Sequence, residues 1–196
     1  MASTADATSA WLEVAGRVPM LTHREELELG RLVRAWQDWP GGPDVAPQLI
    51  RRRGLRARER MVAANLRLVA AQAKAYWLRG RRCGFELVDL LQEGVLGLQR
   101  AAEKFDPARG YKLSTYSVPW IRQAMGRMLD HHGGPVRVPT AVGSAMTRLQ
   151  AGGLQWEQLE PGLQRRVMAA MRLQRPLSLD APVGEGGSTL AVLVAA

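Results

Sequence analysis

FDPARGYKLSTYSVPWIRQAMGR, residues 105–127, predicts a tight turn followed by a helix with two unlike faces. At about 100° per residue, one face carries an apolar stripe made of Ile121, Met125, Met128 and Leu129. The opposite face combines rings with polar groups, namely Tyr116, Trp120, Gln123 and Arg127. Rings stack on unpaired bases, while amide and guanidinium groups reach base edges and phosphates, so this face indicates a nucleic-acid surface. The alternative is that Tyr116 and Trp120 are ordinary core aromatics.

The basic charge of the chain is concentrated before this stretch. The 196 residues have a formal net charge of +9 and a pI near 10.9. Eleven basic residues lie from Arg51 to Arg82, where Glu59 is the one acid. Such clustering predicts contact with the phosphates of a polyanion. The alternatives are a solvated helix face or the acidic surface of another protein.

The remaining composition predicts a soluble, globular, cytoplasmic protein without a membrane segment. Hydrophobic residues make up 46% of the chain, enough for a packed core. The single cysteine, Cys83, excludes an internal disulfide and fits a reducing compartment. The first residues lack the pattern of a secretory signal, and the apolar segment at 190–196 is too short to span a bilayer.

Helical patterns dominate the chain, so we predict an all-α fold. Thr22 and Glu25 form a capping box that opens a helix to about Trp36, and the spacing from Leu55 to about Trp77 predicts one long helix. Further helices are predicted at 86–104, 141–150 and 161–173, with a loop at 133–135, an extended stretch at 176–189 and no convincing strand pair. The predicted organisation is an N-terminal helical segment at 9–50, a compact helical unit at 51–132, short helices at 133–175 and a tail at 176–196.

The helix predicted at 86–104 has a core side and a polar side. The core side is Leu87, Leu91, Leu98, Ala101, Ala102 and Phe105; the polar side is Asp89, Gln92, Glu93, Leu96, Gln99 and Glu103. Leu96 is apolar in a polar surface, which is typical of a protein-docking hot spot, although single exposed leucines are also common. Gly94 and Gly97 each cost about 1 kcal/mol in a helix interior, so we expect another helix to approach closely there.

No pattern in the sequence indicates an enzyme. There is no H-x-x-x-H or C-x-x-C pair, no G-x-S-x-G, no P-loop and no G-x-G-x-x-G. Adjacent residues of a helix do not face each other, so His131 and His132 do not form a ligand pair. We therefore expect no catalytic residue, no metal and no cofactor.

Four blocks of the sequence together resemble the second conserved region of the bacterial sigma-70 family, the promoter-specificity subunits of RNA polymerase. They are ERMVAANLRLV at 59–69, DLLQEGVLGL at 89–98, EKFDPARGYK at 103–112, and STY and WIRQA within 114–124. Residues 17–30 resemble the family's first conserved region, and 176–184 resembles the linker after its third region, which enters the active-site channel. The resemblance implies an alternative member of the primary type, with a region-two helical bundle as its central domain.

The resemblance implies a polymerase-docking surface and a promoter-binding surface. The first, made of Asp89, Gln92, Glu93, Leu96 and Gln99, is similar to the surface that docks on the clamp coiled coil of the largest catalytic subunit of core RNA polymerase. The second is similar to the part that captures a flipped non-template base and melts the −10 promoter element. Its implied residues are Phe105, Asp106, Arg109, Tyr111, Lys112, Thr115, Tyr116, Trp120, Gln123 and Arg127.

Within that surface the resemblance assigns individual roles. Tyr116 would stack on the base and Trp120 would be a wedge at the upstream edge of the bubble. Arg67, Lys74 and Arg79 would hold backbone phosphates or contact the polymerase. The expected partners are core RNA polymerase and promoter DNA, above all its single non-template strand, with an anti-sigma factor as a further partner that the resemblance admits. The expected localisation is cytoplasmic, on the nucleoid when in holoenzyme.

The sequence departs from the family at several positions. Pro119 stands where the family usually has the first of two adjacent tryptophans, so half of the wedge is missing. Because proline is tolerated in the first turn of a helix, we expect Ser117 to be the N-cap of a helix that starts one turn late. Ala141 and Ser144 replace the His and Glu that read the extended −10 motif, so that contact is not expected.

The chain stops at Ala196, before the helix-turn-helix domain with which primary-type relatives read the −35 element. The leading hypothesis is therefore a sigma-70-type initiation factor that lacks this domain. The alternative is a regulator or decoy that docks on core polymerase without productive initiation. A third hypothesis is a basic helical RNA-binding module.

Overall fold

The computed structural model describes residues 4–134, 136–150, 152–173, 177–183 and 188–195, and confirms the all-α class. The chain divides into two compact units, the first ending at Leu129 and the second starting at Asp130. The helices that begin in the first unit are α1 (Thr4–Arg17), α2 (His23–Gln37), α3 (Gln48–Ala64), α4 (Leu66–Arg82), α5 (Leu87–Lys104) and α6 (Leu113–His132), with a 3₁₀ turn at Pro107–Arg109. No described helix is long and apolar enough to cross a membrane.

The start of α2 confirms the predicted capping box. Thr22 Oγ1 accepts a hydrogen bond from the Glu25 amide at 3.3 Å, and Glu25 Oε2 accepts one from the Thr22 amide at 2.7 Å. Two backbone donors at the N-terminus, which have no partner inside the helix, are thereby satisfied. The backbone hydrogen bond from Thr22, followed by that from its hydroxyl, lowers the pKa of the Glu25 carboxyl.

The single helix predicted from Leu55 to Trp77 is wrong, because the structure has two helices that meet at Asn65. The Asn65 side-chain amide donates to the Met61 carbonyl at 2.9 Å, and the Asn65 backbone has φ −111° and ψ 11°. Asparagine offers the backbone local hydrogen bonds that compete with the helix, and here it ends α3 and begins α4. The 3–4 spacing of apolar residues continues through this break, so periodicity alone did not reveal it.

The close approach expected at Gly94 and Gly97 is confirmed, with α6 as a neighbour at both positions. A Cβ added at Gly97 would lie 2.7 Å from the Trp120 carbonyl oxygen and 3.0 Å from the Ile121 Cα. A Cβ added at Gly94 would lie 2.4 Å from Cε of Met125. The core that forms around this crossing includes the fully buried side chains Met61, Val69, Leu90, Leu98, Phe105, Ile121 and Met125.

The N-cap predicted at Ser117 is wrong, because α6 already begins at Leu113 and contains Pro119. The buried carboxylate of Glu26 on α2 accepts a hydrogen bond from the Leu113 amide at 3.3 Å, which satisfies one donor at the start of α6. Pro119 is exposed, and it removes one hydrogen bond of the helix. Ser117 is buried and its hydroxyl has no hydrogen-bond partner among the described atoms.

The second unit has a small core of its own. The helices α7 (Thr140–Gln150) and α8 (Pro161–Leu173) agree with the predicted spans and enclose Val142, Ala145, Met146, Leu159, Val167 and Ala170. The absence of strand pairs is contradicted in the tail, where β1 (Pro182–Val183) pairs antiparallel with β2 (Ser188–Thr189). Strands of two residues are too short to give an alternating pattern. A short helix, α9 (Leu190–Ala195), follows, while Pro135 and residues 174–176 and 184–187 lie outside the described residues.

The α5–α6 crossing generates a test of the fold. We expect Gly97→Ala to lower the free energy of unfolding by about 1–3 kcal/mol, because the added methyl group meets backbone atoms that cannot rotate away. Gly126→Ala is the matched control, since no heavy atom lies within 4 Å of its added Cβ. The control should be neutral or should stabilise the protein by up to about 1 kcal/mol through helix propensity. Urea denaturation followed by circular dichroism measures both; equal values for the two variants would contradict the close crossing.

Candidate nucleic-acid and protein interfaces

The segment between α5 and α6 is fixed by three residues spaced one turn apart on α2. Glu26 accepts the hydrogen bond from Leu113 at one end of the segment, and Arg34 Nη1 donates to the Glu103 carbonyl at 3.4 Å near the other end. Gly30 lies between them, where an added Cβ would be 3.2 Å from the Phe105 ring. Residues spaced by four share one helix face, so this stripe of α2 sets the position of the whole segment. No sequence pattern pointed to Glu26 in this role, because its partner lies 87 residues away.

A tight turn orders the polar part of this segment. Asp106 Oδ1 accepts from the Ala108 amide at 2.9 Å, and Asp106 Oδ2 accepts from Nε of Arg109 at 3.2 Å. Gly110 ends the turn in the left-handed region, with φ +72°, which a residue with a side chain rarely adopts. The hydrogen bond from Ala108, then the hydrogen bond and charge of Arg109, and the charge of Arg34, lower the pKa of the Asp106 carboxyl. Asp106 is therefore an anion that holds the Arg109 guanidinium.

The aromatic residues of the segment form a row. The ring centroids of Phe105 and Tyr116 are 6.0 Å apart and those of Tyr116 and Trp120 are 6.3 Å apart, with tilts of 54° and 52°. These are ordinary separations for interacting aromatic pairs. Phe105 is fully buried, whereas Tyr116 and Trp120 are half-buried, so the row leads from the core to the surface. The predicted apolar face of α6 is confirmed at Ile121, Met125 and Leu129, which are buried, and its polar side at Gln123 and Arg127, which are exposed. The half-buried Tyr116 also packs against the core.

A cavity of about 190 Å³ lies beside this row. Its lining includes five of the predicted site residues, Phe105, Asp106, Arg109, Tyr111 and Tyr116. The sixth lining residue is Lys104, which sequence reasoning missed; its ammonium group also lies 5.3 Å from the Trp120 ring centroid. Thr115, Lys112, Gln123 and Arg127 are exposed and do not line the cavity. The cavity thus combines aromatic walls with cations and one carboxylate, which suits a flat ring with hydrogen-bonding edges.

The predicted docking surface on α5 has Leu96 near its middle. Leu96 is 47% exposed and Gln92 is exposed, while Asp89, Glu93 and Gln99 are half-buried. Asp89 also has a structural role, because its Oδ2 accepts from the Glu86 amide at 2.8 Å at the start of the helix. Glu103, at the other end, is paired with Arg58 at 2.7 Å and turns toward α3. We call Asp89, Gln92, Glu93, Leu96 and Gln99 the α5 surface.

The predicted phosphate contacts differ in exposure. Arg67 and Lys74 on α4 are exposed, while Arg79 is half-buried. Within the described part of the chain, no three His, Cys, Asp or Glu side chains come together in a way that could hold a metal ion.

Comparisons with known proteins point to one family. The sequence profile of sigma-70 region 2 matches residues 61–133. The RNA polymerase sigma factor SigA4 of Synechococcus elongatus is 45% identical over 151 residues, which cover 75% of this chain and 47% of that protein. The sigma factor SigA2 of the same organism is 33% identical, with 94% of this chain and 68% of the relative covered. The principal sigma factor HrdC of Streptomyces coelicolor is 36% identical, with 94% of this chain and 62% of the relative covered. The chain thus spans between about half and two thirds of the length of these relatives.

The turn at Asp106 generates a titration test. In Arg109→Gln the pKa of Asp106 should rise but stay below the ordinary value for aspartate, because the Ala108 amide, the largest cause of the lowering, remains. A lowered native pKa contributes stability that is present above the ordinary pKa and lost as pH falls through the native one, so in the variant this loss should be smaller and should be complete at a higher pH. Carboxyl carbon chemical shifts followed by NMR report the titration. The control is Arg24→Gln, which removes a cation paired with Glu28 and should leave the pKa of Asp106 unchanged. An Asp106 titration that does not respond to Arg109→Gln would show that the Asp106–Arg109 ion pair does not form in solution.

Proposed function

The chain belongs to the sigma-70 family, and from that premise we propose that it is a transcription initiation factor that docks on core RNA polymerase and recognises and melts the −10 promoter element. The observation that carries the proposal is the row Phe105–Tyr116–Trp120, whose first two rings line a cavity together with the cations Lys104 and Arg109. A half-buried ring next to an open cavity can stack on a base that has left the duplex.

The proposed step is capture of one non-template base in the cavity. Tyr116 stacks on the base, while Arg109, oriented by Asp106, and Tyr111 offer hydrogen-bonding groups to its edge. Flipping a base costs a few kcal/mol, and stacking on an aromatic ring offsets about 1–3 kcal/mol of that cost. Binding of the open strand thus favours the melted state.

Trp120 is proposed as the wedge at the upstream edge of the opened strand. Its ring is supported from one side by Tyr116 and approached by the Lys104 ammonium, so its orientation is set before DNA binds. Gln123 and Arg127 continue along the same exposed face of α6, where they can reach the adjoining duplex. Lys112, Thr115, Arg67, Lys74 and Arg79 are proposed as further contacts to the DNA, the last three to its backbone phosphates.

The α5 surface is proposed as the docking site for the clamp coiled coil of the largest catalytic subunit of core RNA polymerase. Leu96 would be the apolar centre of the contact, and the amides and carboxylates around it a polar rim. The chain would then act in the cytoplasm, on the nucleoid when part of holoenzyme.

A second candidate function is a regulator that occupies core polymerase without productive initiation. Such a regulator uses the same α5 surface. The observation that favours it is the exposed Pro119, at the position where the resemblance implies the first of two adjacent tryptophans. A fluorescent probe in a −10 promoter fragment, mixed with the chain and core polymerase, separates the two functions. An initiation factor opens the fragment and the probe responds, whereas a decoy leaves the fragment closed.

Base capture is tested by changing the stacking ring. Tyr116→Ala should weaken binding of the polymerase complex to an unpaired −10 non-template oligonucleotide by about five- to 150-fold, the equivalent of 1–3 kcal/mol of stacking. Tyr116→Phe, which keeps the ring, should bind within a few-fold of the parent chain. Fluorescence anisotropy of the labelled oligonucleotide gives both affinities; equal binding by the parent and Tyr116→Ala would refute base capture by this ring.

Docking is tested at the apolar centre of the α5 surface. Leu96→Asp should weaken binding to core RNA polymerase by at least about 30-fold, because a carboxylate replaces a side chain buried in the contact. Leu49→Asp, a change of another exposed leucine, on α3, should not alter it. Competition binding to immobilised core enzyme measures the ratio. Comparable losses in the two variants would point to unfolding or a different docking surface.

A further inference from the structure

We propose that a second cleft, which adjoins the base cavity on its α2 side, binds a phosphate of the same single strand. This inference rests on the proposed function and assigns the residues that hold the strand beside the captured base. The cleft has a volume of about 410 Å³ and is lined by four cations, Arg31, Arg34, Lys104 and Arg109, together with Asp38, Asp106 and Pro107. We call it the α2 cleft.

The charges in the α2 cleft favour an anion. Its two carboxylates are already engaged, since Asp38 pairs with Arg34 at 2.8 Å and Asp106 accepts from Arg109 and from the Ala108 amide. Four cations against two carboxylates leave two positive charges. Arg31 is exposed and makes no ion pair or hydrogen bond with the described residues. A guanidinium group that is not already paired can bind a phosphate through two parallel hydrogen bonds.

The α2 cleft and the base cavity are neighbours that share lining residues. Lys104, Asp106 and Arg109 line both of them, so one wall separates the place for a ring from the place for an anion. A nucleotide has this same arrangement, a flat base joined through its sugar to a phosphate. An acidic protein segment would satisfy the cations but would leave the aromatic side of the shared wall unused. The phosphodiester backbone of single-stranded nucleic acid is therefore the ligand that fits both cavities at once.

The shape of the α2 cleft is imposed by the same stripe of α2 that positions the turn. Arg34 is held by Asp38 and by the Glu103 carbonyl, which keeps its guanidinium at the rim. Gly30 admits Phe105 and Pro107 against the helix, and this brings Lys104 and Arg109 to face Arg31 across the opening. The cations are thus preorganised before a strand arrives, and their mutual repulsion is relieved when a phosphate enters.

The experiment measures the salt dependence of strand binding. The full chain, with core RNA polymerase, binds two fluorescein-labelled single strands, one with the −10 non-template sequence and one scrambled, over a series of salt concentrations. Arg31→Gln should weaken both strands by the same factor and reduce the slope of log affinity against log salt by about 0.7, the value for one phosphate contact on a single strand. Arg31 is exposed and unpaired among the described residues, so the change should not affect folding. Arg24→Gln, on the same helix but outside the cleft, is the matched control and should leave the slope unchanged.

The outcomes separate this proposal from the proposed function. If Tyr116→Ala reduces the preference for the −10 strand while Arg31→Gln leaves the slope unchanged, the α2 cleft does not bind phosphate and base capture stands. Equal reductions of the slope by Arg31→Gln and Arg24→Gln would mean that the strand responds to the overall positive charge of the protein. That result would overturn the proposal that the α2 cleft binds a phosphate. If Arg31→Gln binds core polymerase more weakly while its strand binding is unchanged, the α2 cleft contacts protein instead of DNA. That result would also overturn the proposal. If the parent chain does not distinguish the two strands, the proposed function itself fails.

Discussion

One face of α2 holds the segment between α5 and α6 that forms most of the proposed base cavity. Glu26, Gly30 and Arg34 lie one turn apart, and they bind the start of α6, the ring of Phe105 and the end of α5 in turn. A buried carboxylate is costly unless it is hydrogen-bonded, so the Leu113 amide stabilises Glu26 as much as Glu26 stabilises α6. With both ends of the segment held, the turn at Asp106 has little freedom, and the cavity beside Tyr116 exists before any ligand binds.

The second constraint is the close crossing of α5 and α6 at Gly97. Gly97 faces the Trp120 backbone, while Leu96, its neighbour in sequence, faces outward in the α5 surface. Successive residues of a helix point about 100° apart, so one turn of α5 both packs against α6 and exposes the leucine of the proposed docking surface.

Local patterns in the sequence predicted much of the fold. The features that they did not predict depend on contacts between residues far apart in the sequence. The capping box at Thr22, the two faces of α5 and α6 and the helices of the second unit all depend on spacing within one helix, and all are confirmed. The start of α6 depends instead on Glu26, 87 residues away, which is why the Ser117 cap was wrong. Lys104 was missed for the same reason. Its contact with the Trp120 ring joins two different helices, so spacing within one helix could not predict it.

Pro119 shows how a departure from the family pattern can be tolerated by the fold and still change the site. Inside a helix, proline costs about 3 kcal/mol or more, because it removes one backbone hydrogen bond and its ring crowds the carbonyl four residues earlier, so other contacts must hold the helix. Here it lies on the exposed side of α6, whose start is fixed by Glu26 and whose buried side is seated on Gly97. The helix therefore continues through Pro119 and carries Trp120 to its place against Tyr116. Trp120, the ring that we propose as the wedge, is therefore supported by Lys104 and Tyr116 alone among the described ring and cation contacts.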